Sequence, residues 1–202
     1  MSTQNTQEKI VRALLKENGV IRSRDAREKG VHHEVLRRMV ANGKIQKITR
    51  GQYVVSDHEF SGKISLAMVA KHIPHSVICL LSALDYHEIG TQNPYQVWIA
   101  LAQKHWGSTL EYPPLKIIRY SEQTLAMGVE EVDVEGVTVR VFNIPKTVVD
   151  CFKYRNKVGI DVAIEALREV VETGRCKISE FNPYAKAARV QNVMRPYIEA
   201  LI

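Results

Sequence analysis

Between His33 and Val55 the apolar residues change their period, and that change dictates the kind of unit the N-terminus can build. Val35, Leu36, Met39 and Val40 recur at helical spacing and turn inward, leaving Glu34, Arg37, Arg38 and Ala41 on the other face. Asn42-Gly43 ends that helix, and KIQKITRGQYVV then places β-branched runs on both sides of Arg50-Gly51, the pattern of a two-stranded wing. Upstream, Ile10, Val11, Leu14 and Leu15 form one stripe from Thr6 to Asn18, with Thr6 as N-cap and Gly19 as the stop. Ser23 caps a short second helix through Asp25, Ala26 and Lys29, which Gly30 ends. The order helix, helix, helix, hairpin predicts a winged helix-turn-helix, whose second helix packs across the third so that the third can lie in a major groove.

Charge points the same way. The chain carries a net +6, and residues 1–58 hold all of the excess, with 12 Lys/Arg against 6 Asp/Glu, while residues 59–202 carry 16 of each. A small basic domain joined to a neutral one suits a polyanion, because Lys and Arg replace the counterions condensed on nucleic acid. The candidate DNA contacts follow from position and chemistry. Arg37 and Arg38 carry guanidinium groups able to contact guanine bidentately, and His33 begins the same helix. Ser23, Arg24 and Arg27 sit near the start of the second helix and suit phosphates. Arg50 at the wing tip, with Gln52 beside it, suits a minor groove or the backbone. Whether each arginine meets a base or a phosphate stays open at this level.

Two domains are expected within the 202 residues, a winged helix-turn-helix at 1–58 and a mixed α+β effector domain at 59–202, giving an α+β fold overall. His58 to Gly62 reads as a short polar linker. Beyond it, Ile64 to Ile73 and Val77 to His87 are apolar enough for two buried helices separated by Pro74. QVWIALA and KIIRYS read as strands divided by a loop through Gly107, and Val132 to Val141 as a hairpin turning at Glu135-Gly136. The last third is helical: a segment from Lys146 after Pro145, another from Ile160 to Thr173, one beginning at Ser179 and one near Pro196. MSTQNTQEKI contains no signal-peptide core and no apolar run nears the ~20 residues of a membrane span, so a soluble cytoplasmic protein is expected.

No enzyme or cofactor is expected. GxSxG, a phosphate-binding glycine loop and HExxH are missing from the sequence. Cys79, Cys151 and Cys176 have no paired spacing and read as reduced thiols, His72 and His75 are split by Pro74, and Asp85 and His87 read as a helix end. The strand VWIALAQK offers Gln103 before Lys104 where a metal-dependent nuclease needs a carboxylate. Lys146, Lys153 and Lys157 recur at steps of seven and four, which puts them on one face if the helix continues through Asn156. That face is a candidate second nucleic-acid contact, with ordinary solvated surface as the alternative.

The basic winged helix ending in RGQYVV, the segment LLSALDYHEIG followed by VWIAL, and the late segment IPKTVVDCFKYRNKVGIDVAIEALRE together resemble the AbiEi family, antitoxins of bacterial type IV toxin-antitoxin and abortive-infection systems. The resemblance implies a repressor that binds inverted repeats in the double-stranded promoter DNA of its own operon. It also implies neutralisation of a nucleotidyltransferase-like toxin, AbiEii, without a stable complex between the two. Two further functions compete with it: a ligand-sensing winged-helix transcription factor, and a DNA-cleaving or DNA-modifying enzyme.

Overall fold

The computed structural model describes residues 2–18, 20–49, 51–55, 63–104, 110 and 113–201. Gly19, Arg50, the linker at His58–Gly62 and the loop through Gly107 lie outside the described residues, apart from the two ends of that loop. The fold is α+β. Its contacts gather into two units, one of Met1–Pro74 with Thr109–Pro113 and Asp133–Val139, the other of His75–Ser108 with Pro114–Val132 and Arg140–Ile202.

In the first unit, α1 (Ser2–Asn18) begins four residues ahead of the expected cap at Thr6, since nothing in STQN stops a helix. α2 (Ser23–Glu28) and α3 (His33–Ala41) follow. Ser23 is the first helical residue rather than the cap. Arg22 holds the extended cap position, and its N–H donates to Asp25 Oδ2 at 3.1 Å, so the carboxylate three residues on closes the helix start. Val11, Leu15, Ile21, Ala26, Val31, Val35, Leu36, Met39, Ile45 and Tyr53 form one buried cluster. Each larger side chain among them contributes about 1.5–3 kcal/mol on leaving water, which is what holds three short helices and a small sheet together.

The wing has three strands where two were expected. β2 (Ile45–Thr49) and β3 (Gln52–Val55) form the hairpin, and β1 (Ile21–Arg22) pairs antiparallel on the far side of β3, with Ile21 opposite Tyr53 and Arg22 opposite Gln52. The extra strand ties the start of α2 to the wing turn, because Ser23 N–H donates to Gly51 O at 2.7 Å. α4 (Ile64–His72) counts with this unit: Lys71 Nζ donates to Val20 O and stands 3.7 Å from the Asp25 carboxylate. Burial pushes the Lys71 pKa down, against the pull of Asp25.

The larger sheet runs β6-β5-β4-β8-β7, built from β4 (Val77–Ile78), β5 (Val97–Ala102), β6 (Leu115–Tyr120), β7 (Val129–Val134) and β8 (Val137–Phe142). β5 pairs parallel with β6 and antiparallel with β4, which pairs parallel with β8. β4 corrects the expected helix from Val77: the β-branched pair is the middle strand of the sheet, and the helix, α5 (Leu80–Tyr86), starts only after Cys79 N–H has reached Trp98 O. After the short α6 (Glu122–Leu125) and the β7–β8 hairpin come α7 (Ile144–Lys153), α8 (Arg155–Val158), α9 (Ile160–Glu172), α10 (Ile178–Ala188) and α11 (Gln191–Glu199). α7 packs against α5, α9 and α10, and every residue from Lys146 to Phe152 is buried. Asn143 caps it by accepting from Lys146 N–H at 3.0 Å, with Pro145 in the first turn. Gly159, at φ +98°, separates α8 from α9. The three cysteines are buried and unpaired. Among the described residues no helix is long and apolar enough to cross a membrane.

Candidate nucleic-acid interface

α3 presents Val35, Leu36 and Met39 to the core and leaves His33, Glu34, Arg37 and Ala41 exposed. Its two arginines part company. Arg37 is 76% exposed and rests loosely on Glu34 at 3.9 Å, an arrangement a phosphate or a guanine can displace, since exposed pairs are worth roughly 0.2–1 kcal/mol. Arg38 is half-buried and turns toward α1, where it meets Glu8 at 3.5 Å. Glu8 also accepts from Lys44 Nζ at 2.6 Å. The Lys44 hydrogen bond, then the charges of Lys44, Arg38 and Arg12, hold the Glu8 carboxyl below the usual carboxylate range against a smaller desolvation cost. Arg38 therefore braces α3 on α1, and Arg37 is the one that reaches outward.

On α2, Arg24 and Arg27 are exposed, Arg24 pairing with Glu28 at 3.3 Å, while Ser23 is half-buried. Gln52 does not reach the surface. It is 1% exposed, and neither its amide nitrogen nor its amide oxygen has a hydrogen-bond partner among the described residues. It stands opposite Arg22 in the sheet, which removes it from the set of outward DNA contacts. Arg50 lies outside the described residues. Three cations that the wing and α3 overshadow in the sequence are exposed on α1: Lys9, Arg12 and Lys16, at steps of three and four. That spacing was the available signal for them.

The first unit is thus three helices and a wing, with His33 and Arg37 exposed on the third helix. Residues 8–56 match the family described as transcriptional regulator, AbiEi antitoxin. The AbiEi match spans the helix-turn-helix and the wing, and the family it names is one of regulators that are antitoxins. No curated protein matches the chain in sequence. Over 90% of its length the chain is similar in fold to the crystal structure of the RV2827C protein from Mycobacterium tuberculosis, with a TM-score of 0.62, 11% identity and 71% of that chain covered.

Beyond the AbiEi-matching segment, the expected basic face of Lys146, Lys153 and Lys157 does not form. The helix breaks at Tyr154, between α7 and α8, so the three do not share one continuous helix. Lys146 is buried, its Nζ 2.5 Å from Asp150 Oδ2 and 4.9 and 4.7 Å from the ring centroids of Tyr120 and Phe142. Tyr120 OH donates to the same Asp150 oxygen at 2.9 Å, and Asp150 Oδ1 has no partner among the described residues. Burial dominates the titration of all three: it lowers the Lys146 pKa and raises those of Asp150 and Tyr120, with the Lys146–Asp150 attraction opposing it in both members of the pair. Lys153 and Lys157 flank the Tyr154 ring at 5.7 and 5.5 Å, Lys153 half-buried and Lys157 exposed. Burial pushes the Tyr154 hydroxyl up to about 12. Among the described residues no three His, Cys, Asp or Glu side chains gather where they could hold a metal ion.

Proposed function

We propose that this protein is an autorepressor and antitoxin of a type IV toxin-antitoxin pair, which binds inverted repeats in its own operon promoter and neutralises an AbiEii-like nucleotidyltransferase toxin without a stable complex. The observation that carries the DNA half is the outer face of α3: His33 and Arg37 project from a helix whose opposite side is locked into the core by Val35, Leu36 and Met39. Arg37 reads a base edge in the major groove, and Arg24 and Arg27 on α2 meet phosphates. Arg38, turned to Glu8, sets the angle of α3 rather than touching DNA. The AbiEi match over residues 8–56 supports the regulatory half and, through the family, an antitoxin role; a repressor of its own operon acts in the cytoplasm, where that DNA lies.

The antitoxin half is proposed to lie within residues 59–202, of which α4 and Asp133–Val139 gather with the first unit, so repression and neutralisation are to be separated by point substitutions rather than by cutting the chain. The full-length protein is titrated in a mobility-shift assay against its promoter fragment and a random duplex, and cell survival is scored while the cognate toxin is expressed from a separate promoter. The double variant Arg27→Ala, Arg37→Ala is expected to lose promoter preference and to protect cells as the parent does at matched abundance. Loss of protection in a folded variant would make neutralisation depend on DNA binding. Absence of promoter preference in the parent would remove the repressor reading.

A further inference from the structure

Lys9, Arg12 and Lys16 stand on one face of α1, since steps of three and four return to the same side of a helix. All three are exposed and none makes an ion pair among the described residues, although the Arg12 charge acts on Glu8 from further off. Of the cations expected to bind DNA, Arg24 leans on Glu28 and Arg37 on Glu34, while Arg27, like the α1 stripe, makes no ion pair among the described residues. Of the carboxylates on α1 itself, Glu8 is already engaged by Lys44 and Arg38, and Glu17 lies about 100° further round the helix than Lys16. From Lys9 to Lys16 the stripe runs about 10 Å at 1.5 Å per residue, roughly three base steps along one strand. Its flank toward Glu8 is the flank by which α1 meets α3, where Gln7 Oε1 accepts from His32 N–H at 3.3 Å and Glu8 holds Arg38.

We infer that this face of α1 is a second, sequence-independent contact for the phosphate backbone of double-stranded DNA, bordering the segment that α3 occupies; the inference rests on the DNA-binding reading above. A linear row of unpaired cations fits a linear polyanion. The exposed positions beside it, Ala13 and Glu17, supply no apolar centre of the sort a protein partner's interface is built on.

The test uses the full chain and the triple variant Lys9→Gln, Arg12→Gln, Lys16→Gln. Binding to a labelled promoter duplex and to a random duplex of equal length is followed by fluorescence anisotropy between 50 and 200 mM salt, with thermal melting as the check on folding. Each phosphate contact adds about 0.9 to the slope of log affinity against log salt, so three lost contacts flatten it by roughly 2–3. Over that fourfold salt range the parent should lose about 40-fold more affinity than the variant, on both duplexes alike, with the promoter-to-random ratio unchanged. A variant that melts like the parent and keeps its slope overturns the inference while leaving the α3 reading intact. A changed ratio with an unchanged slope overturns it in favour of base contact, and lost toxin protection with an unchanged slope overturns it in favour of a protein surface. A parent that binds neither duplex overturns both readings together.

Discussion

Lys146→Met should destabilise the protein more than any change on its surface, and the structure says by how much and at which pH. The Lys146 and Asp150 side chains are 4% and 0% exposed and lie 2.5 Å apart, so removing the ammonium leaves a fully buried carboxylate with only the Tyr120 hydroxyl as donor. Breaking one side of such a pair costs about 3–5 kcal/mol. At about 2–4 °C per kcal/mol for a chain of this size, the melting temperature at pH 7.5 should fall by roughly 6–20 °C. Burial raises the Asp150 pKa, and a carboxyl raised in the folded state contributes stability that is full below its unfolded value and lost as pH rises through the folded one. With the lysine gone only the Tyr120 hydroxyl and the Lys153 charge oppose that loss, so the deficit should be smaller near pH 4 than at pH 7.5. Adding Asp150→Asn removes the stranded charge, keeps an acceptor for Tyr120, and should recover most of the stability. Calorimetry at both pH values, with tryptophan emission, to which the buried Trp98 contributes, as a second signal, makes the measurement. A fall of under about 2 °C at pH 7.5, or equal falls at both pH values, would refute the account of this pair.

Arg37→Ala and Arg38→Ala should part in behaviour as their side chains do. The first should cost about 1–3 kcal/mol of promoter affinity and relax sequence preference with stability unchanged, and the second should lower the melting temperature while sparing preference; reversed outcomes in paired binding and melting assays would exchange their roles. Glu8→Gln should cost about 0.5–1 kcal/mol at pH 7. Because the Glu8 pKa is lowered in the fold, that contribution is present above its unfolded value and lost as pH falls through the folded one, so the gap between parent and variant in urea melts should narrow as the medium is acidified.

The N-terminal unit is legible in the sequence because its signals are local. The period switch between α3 and β2 and the Asn42-Gly43 stop each act within a few residues, and of the core predicted at Val35, Leu36, Met39 and Val40 the first three are buried and Val40 packs partly against them. β1 and β4 are not legible, since each has two residues and owes its existence to a partner remote in sequence: Ile21 to Tyr53, and Val77 to Ala100. A two-residue strand has no alternation to detect, and Val77-Ile78 joined to the apolar Cys79-Leu80-Leu81 looks like the start of the following helix.

The site shows which property of a charge the sequence carries and which it withholds. Position on a helix follows from spacing, so the exposed side of α3 and the stripe on α1 can both be written down from residue numbers alone. Pairing does not. Arg37 and Arg38 are chemically identical neighbours, and what separates them is Glu8, thirty residues before Arg38 and on another helix. Lys146 was placed on a basic face by the same spacing that works for α1, but α7 is covered by α5, α9 and α10, and a helix covered on all sides must turn even its polar side inward. Asp150, one turn on, is the sign of this within the sequence: a lysine and an aspartate at i and i+4, amid Val148, Val149, Cys151 and Phe152, can neutralise each other in the core. Lys9, Arg12 and Lys16, all exposed on one continuous helix, therefore outrank Lys146, Lys153 and Lys157 as a second contact surface, since Lys146 is matched by Asp150 in the core and the other two lie on either side of the break at Tyr154.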